Sequence, residues 1–170
     1  MTINCIIINY RKAPRCIQCI DSLLAQSSGH LIRLFVLDNS CSDQEYGLLK
    51  TRAGVRCVVE KADDNIGYTR GVNRVFSGCS DPQFTVLISP DVILHDPSTL
   101  DHMARLFVER PNLGILASVQ TNDDGSIAEV ARRYPSPLDL VRRRLCGKNS
   151  DMDLNLAAMR GGRDRIDEVD

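Results

Sequence analysis

The sequence predicts an α/β protein: a mostly parallel open sheet, Rossmann-like, with helices on both faces. Three features predict it. Residues 3–8 are a β-branched run, and Val86-Leu87-Ile88 is an apolar run that resumes after Ser89-Pro90-Asp91 with Val92, the pattern of strands buried on both faces of a parallel sheet. Between them lie segments whose apolar residues recur at helical spacing. Each apolar run also stops on a short polar group: Asn9-Tyr10, Asp38-Asn39-Ser40, Asp63-Asp64-Asn65 and Ser89-Pro90-Asp91. Strand and helix in alternation make βαβ units, and sheets of that kind bind ligands beyond the carboxyl ends of their strands.

Residues 3–8 read as the first strand. A helix follows, with Pro14 in its first turn and Ile17, Ile20, Leu23 and Leu24 on one face, and Ser27-Ser28-Gly29 ends it. Residues 31–37 are the second strand. Ser42 with Glu45 three positions on is a capping-box pattern that opens a short helix. Residues 55–60 give a third strand. Tyr68, Val72, Val75, Phe76 and Cys79 then mark the apolar face of a helix whose start carries Gly67, Arg70 and Gly71. Residues 84–88 are the fourth strand, which runs into Ser89-Pro90-Asp91 and is expected at the centre of the sheet. Pro90 has no N–H to give and breaks the ladder there. Ser98 to Asp101 cap a helix with Leu100, Met103, Ala104 and Phe107 inward and Pro111 beyond its end. Residues 113–119 read as a further strand, and Asp124-Gly125 as a hairpin turn into residues 127–131.

Length and composition fit one soluble globular domain with a tail. Of 170 residues, 43% are hydrophobic and 25% charged, and the net charge of −1 argues against nucleic-acid binding, which needs a basic field. Aromatics at 5% with no Trp also argue against a single-strand stacking platform. No signal peptide is visible, and no apolar run approaches the roughly 20 residues that cross a bilayer. The seven cysteines are odd in number and scattered through strands and helices, which suggests free thiols in a reducing compartment. Cys16-x-x-Cys19 has no second pair at metal spacing and falls inside a helical pattern, so it reads as packing. Cytoplasm is the expected location. Residues 138–145 are amphipathic, with Arg142, Arg143 and Arg144, and read either as a solvated helix packed on the domain or as a peripheral contact with the inner face of a membrane. The domain is expected over 1–146, with a polar tail over 147–170.

The topology gathers Asn9, Tyr10, Asp38, Asn65, Gly67, Arg70, Ser89 and Asp91 along one edge of the sheet. Tyr10 there can cover a base, Asp38 can accept hydrogen bonds from a base or ribose, and Arg70 can neutralise a pyrophosphate. Asp91 suits a hard divalent cation, Mg²⁺ or Mn²⁺, that in turn holds phosphate oxygens. Taken singly, each has a plainer reading: a strand-end aromatic, a turn former, a solvated helix charge, a Pro-Asp turn.

In this order the segments Ile6-Ile7-Ile8-Asn9-Tyr10, Cys19-Ile20-Asp21-Ser22-Leu23-Leu24-Ala25-Gln26, Val36-Leu37-Asp38-Asn39-Ser40-Cys41-Ser42-Asp43, Asn65-Ile66-Gly67-Tyr68-Thr69-Arg70-Gly71-Val72-Asn73 and Ser89-Pro90-Asp91-Val92 resemble the inverting GT-A-fold glycosyltransferases of family 2, and within them the rhamnosyltransferase-like members. The resemblance spans residues 3 to about 146. It implies the donor half of an enzyme that binds a nucleotide-diphospho-sugar, dTDP-rhamnose or a UDP-sugar, for metal-dependent transfer to a polysaccharide or lipid-linked glycan in cell-wall or surface-polysaccharide synthesis. By position Asn9 and Tyr10 match the nucleoside side, Asp38 the residue reading the base, Asn65, Gly67 and Arg70 the diphosphate-side loop, and Asp91 the metal-binding carboxylate.

Two departures stand out. The family pattern before the metal-binding Asp is usually Asn-Pro-Asp or Asp-x-Asp; Ser89 offers a hydroxyl and no charge. The family's second half, with its acceptor site and general base, is expected beyond Asp170. Asp123, Asp124, Asp167 and Glu168 match no such base, so none is named, and turnover by these 170 residues alone stays an open question. An edge of the sheet left open by the missing half would be covered by a homodimer or a second polypeptide. The rival readings are a non-catalytic binding or assembly module of the same fold, or a nucleotidyltransferase, which the lack of an early glycine-rich signature with a Lys disfavours.

Overall fold

The computed structural model describes residues 1–79 and 82–128. The coordinates divide into two units, Met1–Gly114 and Ile115–Asp170. In the first, four strands alternate with four helices: β1 (Thr2–Asn9), α1 (Ala13–Leu24), β2 (Leu31–Asp38), α2 (Asp43–Lys50), β3 (Cys57–Lys61), α3 (Tyr68–Gly78), β4 (Phe84–Ile88) and α4 (Thr99–Glu109). The described strands form one parallel sheet in the order β3-β2-β1-β4. The α/β class and the parallel sheet are therefore as the sequence predicts.

The chain steps outward from β1 to β2 to β3, then returns past β1 to lay down β4 on its other side. The crevice between the ends of β1 and β4 is thus the point where strand order reverses, the place where open α/β sheets take their ligands. Side chains of β1 alternate between two cores. Ile3, Cys5 and Ile7 meet α1, α2 and α4 through Ala13, Cys16, Cys19, Ile20, Leu23, Leu49, Leu100 and Ala104. Ile6 and Ile8 meet α3 on the opposite face through Val75. Helices on both faces explain why β1 is apolar without alternation. Each of these fully buried aliphatic side chains stabilises the fold by about 1.5–3 kcal/mol relative to exposure.

Gln26 locks α1 to α4. Its side chain donates to the Asp96 carbonyl at 2.9 Å and accepts from the Leu100 N–H at 3.2 Å. It thereby satisfies a free N–H in the first turn of α4, the task the sequence assigns to Ser98. Ser98 instead donates to Asp96 at 2.6 Å.

The structure corrects four expectations. The strand buried between neighbours is β1, whereas β4 pairs only with β1 among the described strands and leaves Leu87 half exposed. β3 begins at Cys57, and Val55 stands fully exposed before it. On α3 the inward line is Gly71 and Val75, flanked by Val72 and Cys79, while Tyr68 and Phe76 face water. Residues 113–119 form no strand: Ile115 and Val119 are exposed, and no partner strand lies beside them among the described residues. In the second unit the Asp124-Gly125 turn is present, with Gly125 at φ 81° and Thr121 bridged to Ile127. The expected domain boundary at 146/147, the Arg-rich segment 138–145 and Cys146 lie outside the described residues.

Cys5, Cys16, Cys19 and Cys57 are buried free thiols. Burial pushes Cys5 and Cys19 up to about 12 and Cys57 to about 11, and raises Cys16 as well. Protonated apolar thiols of this kind pack and do not ligate metal, as read for Cys16-x-x-Cys19. No helix among the described residues is long and apolar enough to cross a membrane.

Candidate functional site

The carboxyl ends of β1 and β2 are joined by a buried polar cluster. Asn9 and Asp38 are register partners at the last rung of the ladder, and both are fully buried. Asp38 Oδ1 accepts from Asn9 Nδ2 at 3.0 Å, from the Ser40 N–H at 3.1 Å and from the Ser40 hydroxyl at 2.6 Å. Its other oxygen, Oδ2, is buried with no hydrogen-bond partner among the described residues. Such an oxygen costs free energy until a donor reaches it.

Glu45 supports this cluster from α2. The capping box is half made: Ser42 Oγ accepts from the Glu45 N–H at 3.3 Å. The Glu45 carboxylate, however, accepts from Asn9 Nδ2 at 3.3 Å and from the Ala13 N–H at 2.8 Å, so it caps α1 instead. A carboxylate at a helix N-terminus is well placed against the helix dipole. Between β1 and α1, Arg11 takes a left-handed backbone, φ 54°, and its N–H donates to Ser40 Oγ at 2.8 Å. Cys41, three residues beyond β2, is also left-handed at φ 56°. For non-glycine residues such backbone costs on the order of 1 kcal/mol, and it gathers where a site is built.

A second link runs from β2 to α3. Asn39 Nδ2 donates to Asn65 Oδ1 at 2.8 Å, and Asn39 Oδ1 accepts from the Ile66 N–H at 3.1 Å. Asn65 Oδ1 also accepts from the Gly67 N–H at 3.0 Å. Gly67 caps α3 at φ 77°, a conformation that suits glycine.

The third link crosses the crevice. Lys12 Nζ lies 2.6 Å from Asp91 Oδ2, and the Ser89 hydroxyl donates to Asp91 Oδ1 at 2.6 Å. These two hydrogen bonds, Lys12's above all, hold the Asp91 carboxyl below the usual carboxylate range. The ionised form is therefore favoured in the folded chain. That stability is present above the unfolded-state value of about 3.9 and is lost as pH falls through the folded one. With both side chains about half exposed, the pair is worth under about 1 kcal/mol. Asp91→Asn is expected to melt slightly below wild type at neutral pH, with the gap closing as pH falls below the ordinary carboxylate range, in a pH series of thermal denaturation.

Asn9, Asp38, Asn65, Gly67, Ser89 and Asp91 thus join, through Lys12 and Asn39, in one run of contacts along the carboxyl edge. Tyr10 and Arg70 belong to the same edge by chain position but bond to none of these. Tyr10 is 44% exposed with the Arg11 guanidinium carbon 5.2 Å from its ring centroid. Arg70 stands in the first turn of α3. The reading of residue types missed Lys12, Asn39, Ser40 and Glu45. Asn39, Ser40 and Glu45 follow Asp38 within one loop and helix start, a clue that was legible; Lys12 was not, because its partner lies 79 residues away.

The divalent ion that the sequence assigns to Asp91 would meet there one half-exposed carboxylate and the Ser89 hydroxyl. No cluster of three His, Cys, Asp or Glu side chains suited to a metal occurs among the described residues, and an ammonium already sits against the one exposed carboxylate at the crevice.

Solved structures share this architecture. The mannosyltransferase PcManGT from Pyrobaculum calidifontis, in complex with GDP-Man and Mn²⁺, matches with a TM-score of 0.62 and 15% identity over 71% of this chain and 35% of its own. Residues 1–349 of S. aureus TarS match at 0.53 and 17% over 70% of this chain and 39% of that one. A longer TarS structure matches at 0.51 and 15%, over 70% and 24%. The chain shares the α/β fold of these structures. It spans between 24% and 39% of these structures' lengths. No protein-family model matches the sequence, and no curated protein matches it. Lys12 and Asp91 stand on the two lips of the crevice between β1 and β4, where strand order reverses.

Proposed function

We propose that this chain is the donor half of a glycosyltransferase, binding a nucleotide-diphospho-sugar at the carboxyl edge of its sheet. The observation that carries the reading is the buried Asp38 carboxyl, whose Oδ2 lacks a partner among the described residues at the edge where such sheets take ligands. A base or ribose donor supplies what that oxygen lacks. Tyr10 offers an exposed ring on the same edge for the base, and Gly67 and Arg70 bring a helix start and a guanidinium for the diphosphate.

In the transfer this site would serve, an acceptor hydroxyl attacks the anomeric carbon as the bond to the diphosphate oxygen breaks. Charge collects on the departing phosphate, so fixed cations at the edge lower the barrier by stabilising it. dTDP-rhamnose or a UDP-sugar is the proposed donor and a polysaccharide or lipid-linked glycan the proposed acceptor. The neighbour bound to GDP-Man makes a guanosine donor the third to test.

Calorimetric titration of UDP, dTDP and GDP into the chain, with and without Mn²⁺, tests the reading. One of them is expected to bind with a dissociation constant below about 1 mM. If none binds at millimolar ligand in either condition, the donor-site assignment is wrong.

A further inference from the structure

A diphosphate needs a cation that holds still. Four basic side chains stand on the carboxyl edge, of which Lys61, at the end of β3, is paired with Asp43 at 2.6 Å and has β2 between it and the β1–β4 crevice. Arg11 is drawn over the Tyr10 ring, and Arg70 makes no hydrogen bond or ion pair among the described residues. At the crevice it is Lys12 that is fixed at both ends: its N–H donates to Asn9 Oδ1 at 3.3 Å, and its ammonium lies 2.6 Å from Asp91. Asp91 is itself braced by Ser89, so the ammonium is held at the crevice between β1 and β4 where strand order reverses. An ammonium has three N–H donors, and the Asp91 contact uses one.

A divalent ion at this point would have to expel that ammonium or share one carboxylate with it. The second carboxyl nearby, Asp38, is fully buried and turned to Asn9 and Ser40. Ser89 adds a neutral hydroxyl that already donates to Asp91. Magnesium-type ions are held by one or two carboxylates together with phosphate oxygens, and here the one available is spoken for.

We infer that Lys12, positioned by Asp91, is the cation that grips the donor's diphosphate, taking the place a divalent ion would fill between carboxylate and phosphate. The inference rests on the donor-site reading above. Lysine acts on phosphate as a point charge with freely turning donors, so it needs no coordination cage, only a fixed location. Asp91 is then a positioning residue for Lys12 and does not touch the phosphate.

The test is titration of the nucleoside diphosphates and the matching nucleosides into the wild-type chain, Lys12→Gln and Asp91→Asn, in EDTA and in excess Mn²⁺. Wild type is expected to bind the diphosphate in EDTA within about threefold of its affinity in Mn²⁺. Lys12→Gln is expected to weaken diphosphate binding about tenfold or more while leaving the nucleoside unchanged, since a charge-assisted contact is lost and the base side is untouched. Asp91→Asn is expected to weaken it severalfold in both buffers. Lys12 is half exposed, so its loss does not threaten folding. Diphosphate binding that appears only with Mn²⁺, or is not weakened by Lys12→Gln, overturns the inference and leaves the donor site standing. Absence of binding in every condition overturns both.

Discussion

Asp38→Asn is expected to leave the chain folded while weakening nucleoside-diphosphate binding about tenfold or more, the value of one hydrogen bond to a charged group. The two oxygens of Asp38 do different jobs. Oδ1 takes three donors from Asn9 and Ser40, and an amide oxygen can take the same three. Oδ2 has none among the described residues, and an amide would put an NH₂ group there in its place. A site that waits for a donor then presents one, and the ligand's N–H or O–H meets repulsion. Stability should shift by no more than about 1 kcal/mol, because a buried acceptor without a partner is removed as a charge is removed. Asp38→Ala is the contrast: it strands the Ser40 N–H and hydroxyl, leaves Asn9 Nδ2 only its longer contacts to Ser40 and Glu45, and opens a hole, costing about 2–4 kcal/mol. Melting temperatures and calorimetric affinities on the two variants separate the roles. Should Asp38→Asn bind nucleotide as tightly as wild type, the unpartnered oxygen has no part in recognition.

How far the sequence carried is clearest at the strand ends. Asn9, Asp38, Asn65 and Asp91 were placed on one edge by a rule of topology, and it holds because a parallel sheet sends every strand the same way. Apolar runs without alternation betrayed β1 and β2 for the same reason. What the rule leaves out is pairing between loops. Asp91 reads from the sequence as a metal carboxylate, and the fold brings Lys12 to within 2.6 Å of it across 79 residues. Glu45 looked like the second half of a capping box, and its carboxylate turned to a different helix because the Ala13 N–H and Asn9 offered better partners. Helical spacing put Tyr68 and Phe76 on the inner face of α3, since spacing alone cannot say that the helix comes in on its glycine.

That glycine sets the position of α3. A Cβ on Gly71 would lie 3.3 Å from Ile8 Cδ1 and 3.3 Å from Leu37 Cδ2, closer than relaxed carbon contacts. Ile8 and Leu37 are buried one residue before Asn9 and Asp38, so they cannot move far without disturbing the polar cluster. Gly71→Ala sets a gain in helix propensity of about 1 kcal/mol against a contact a few tenths of an ångström too tight, and it is expected to fall within about 1 kcal/mol of wild type. Gly71→Leu has no such balance. Its branched side chain must displace the helix or the strands, and overpacking of this size costs about 3 kcal/mol. The helix is the part that yields, because among the described elements it is the one packed on that face of β1 and β2. Moving it pulls on the Asn39–Asn65 and Asn39–Ile66 hydrogen bonds and carries Gly67 and Arg70 off the edge. The expected result is a melting point lower by about 6–12 °C, on the order of 2–4 °C per kcal/mol. Nucleotide binding below that melting point should still be lost. Gly71→Leu that melts low yet binds normally would mean that the α3 start takes no part in the site. If it melts like wild type, the close approach of α3 to the sheet is not what holds the helix in place.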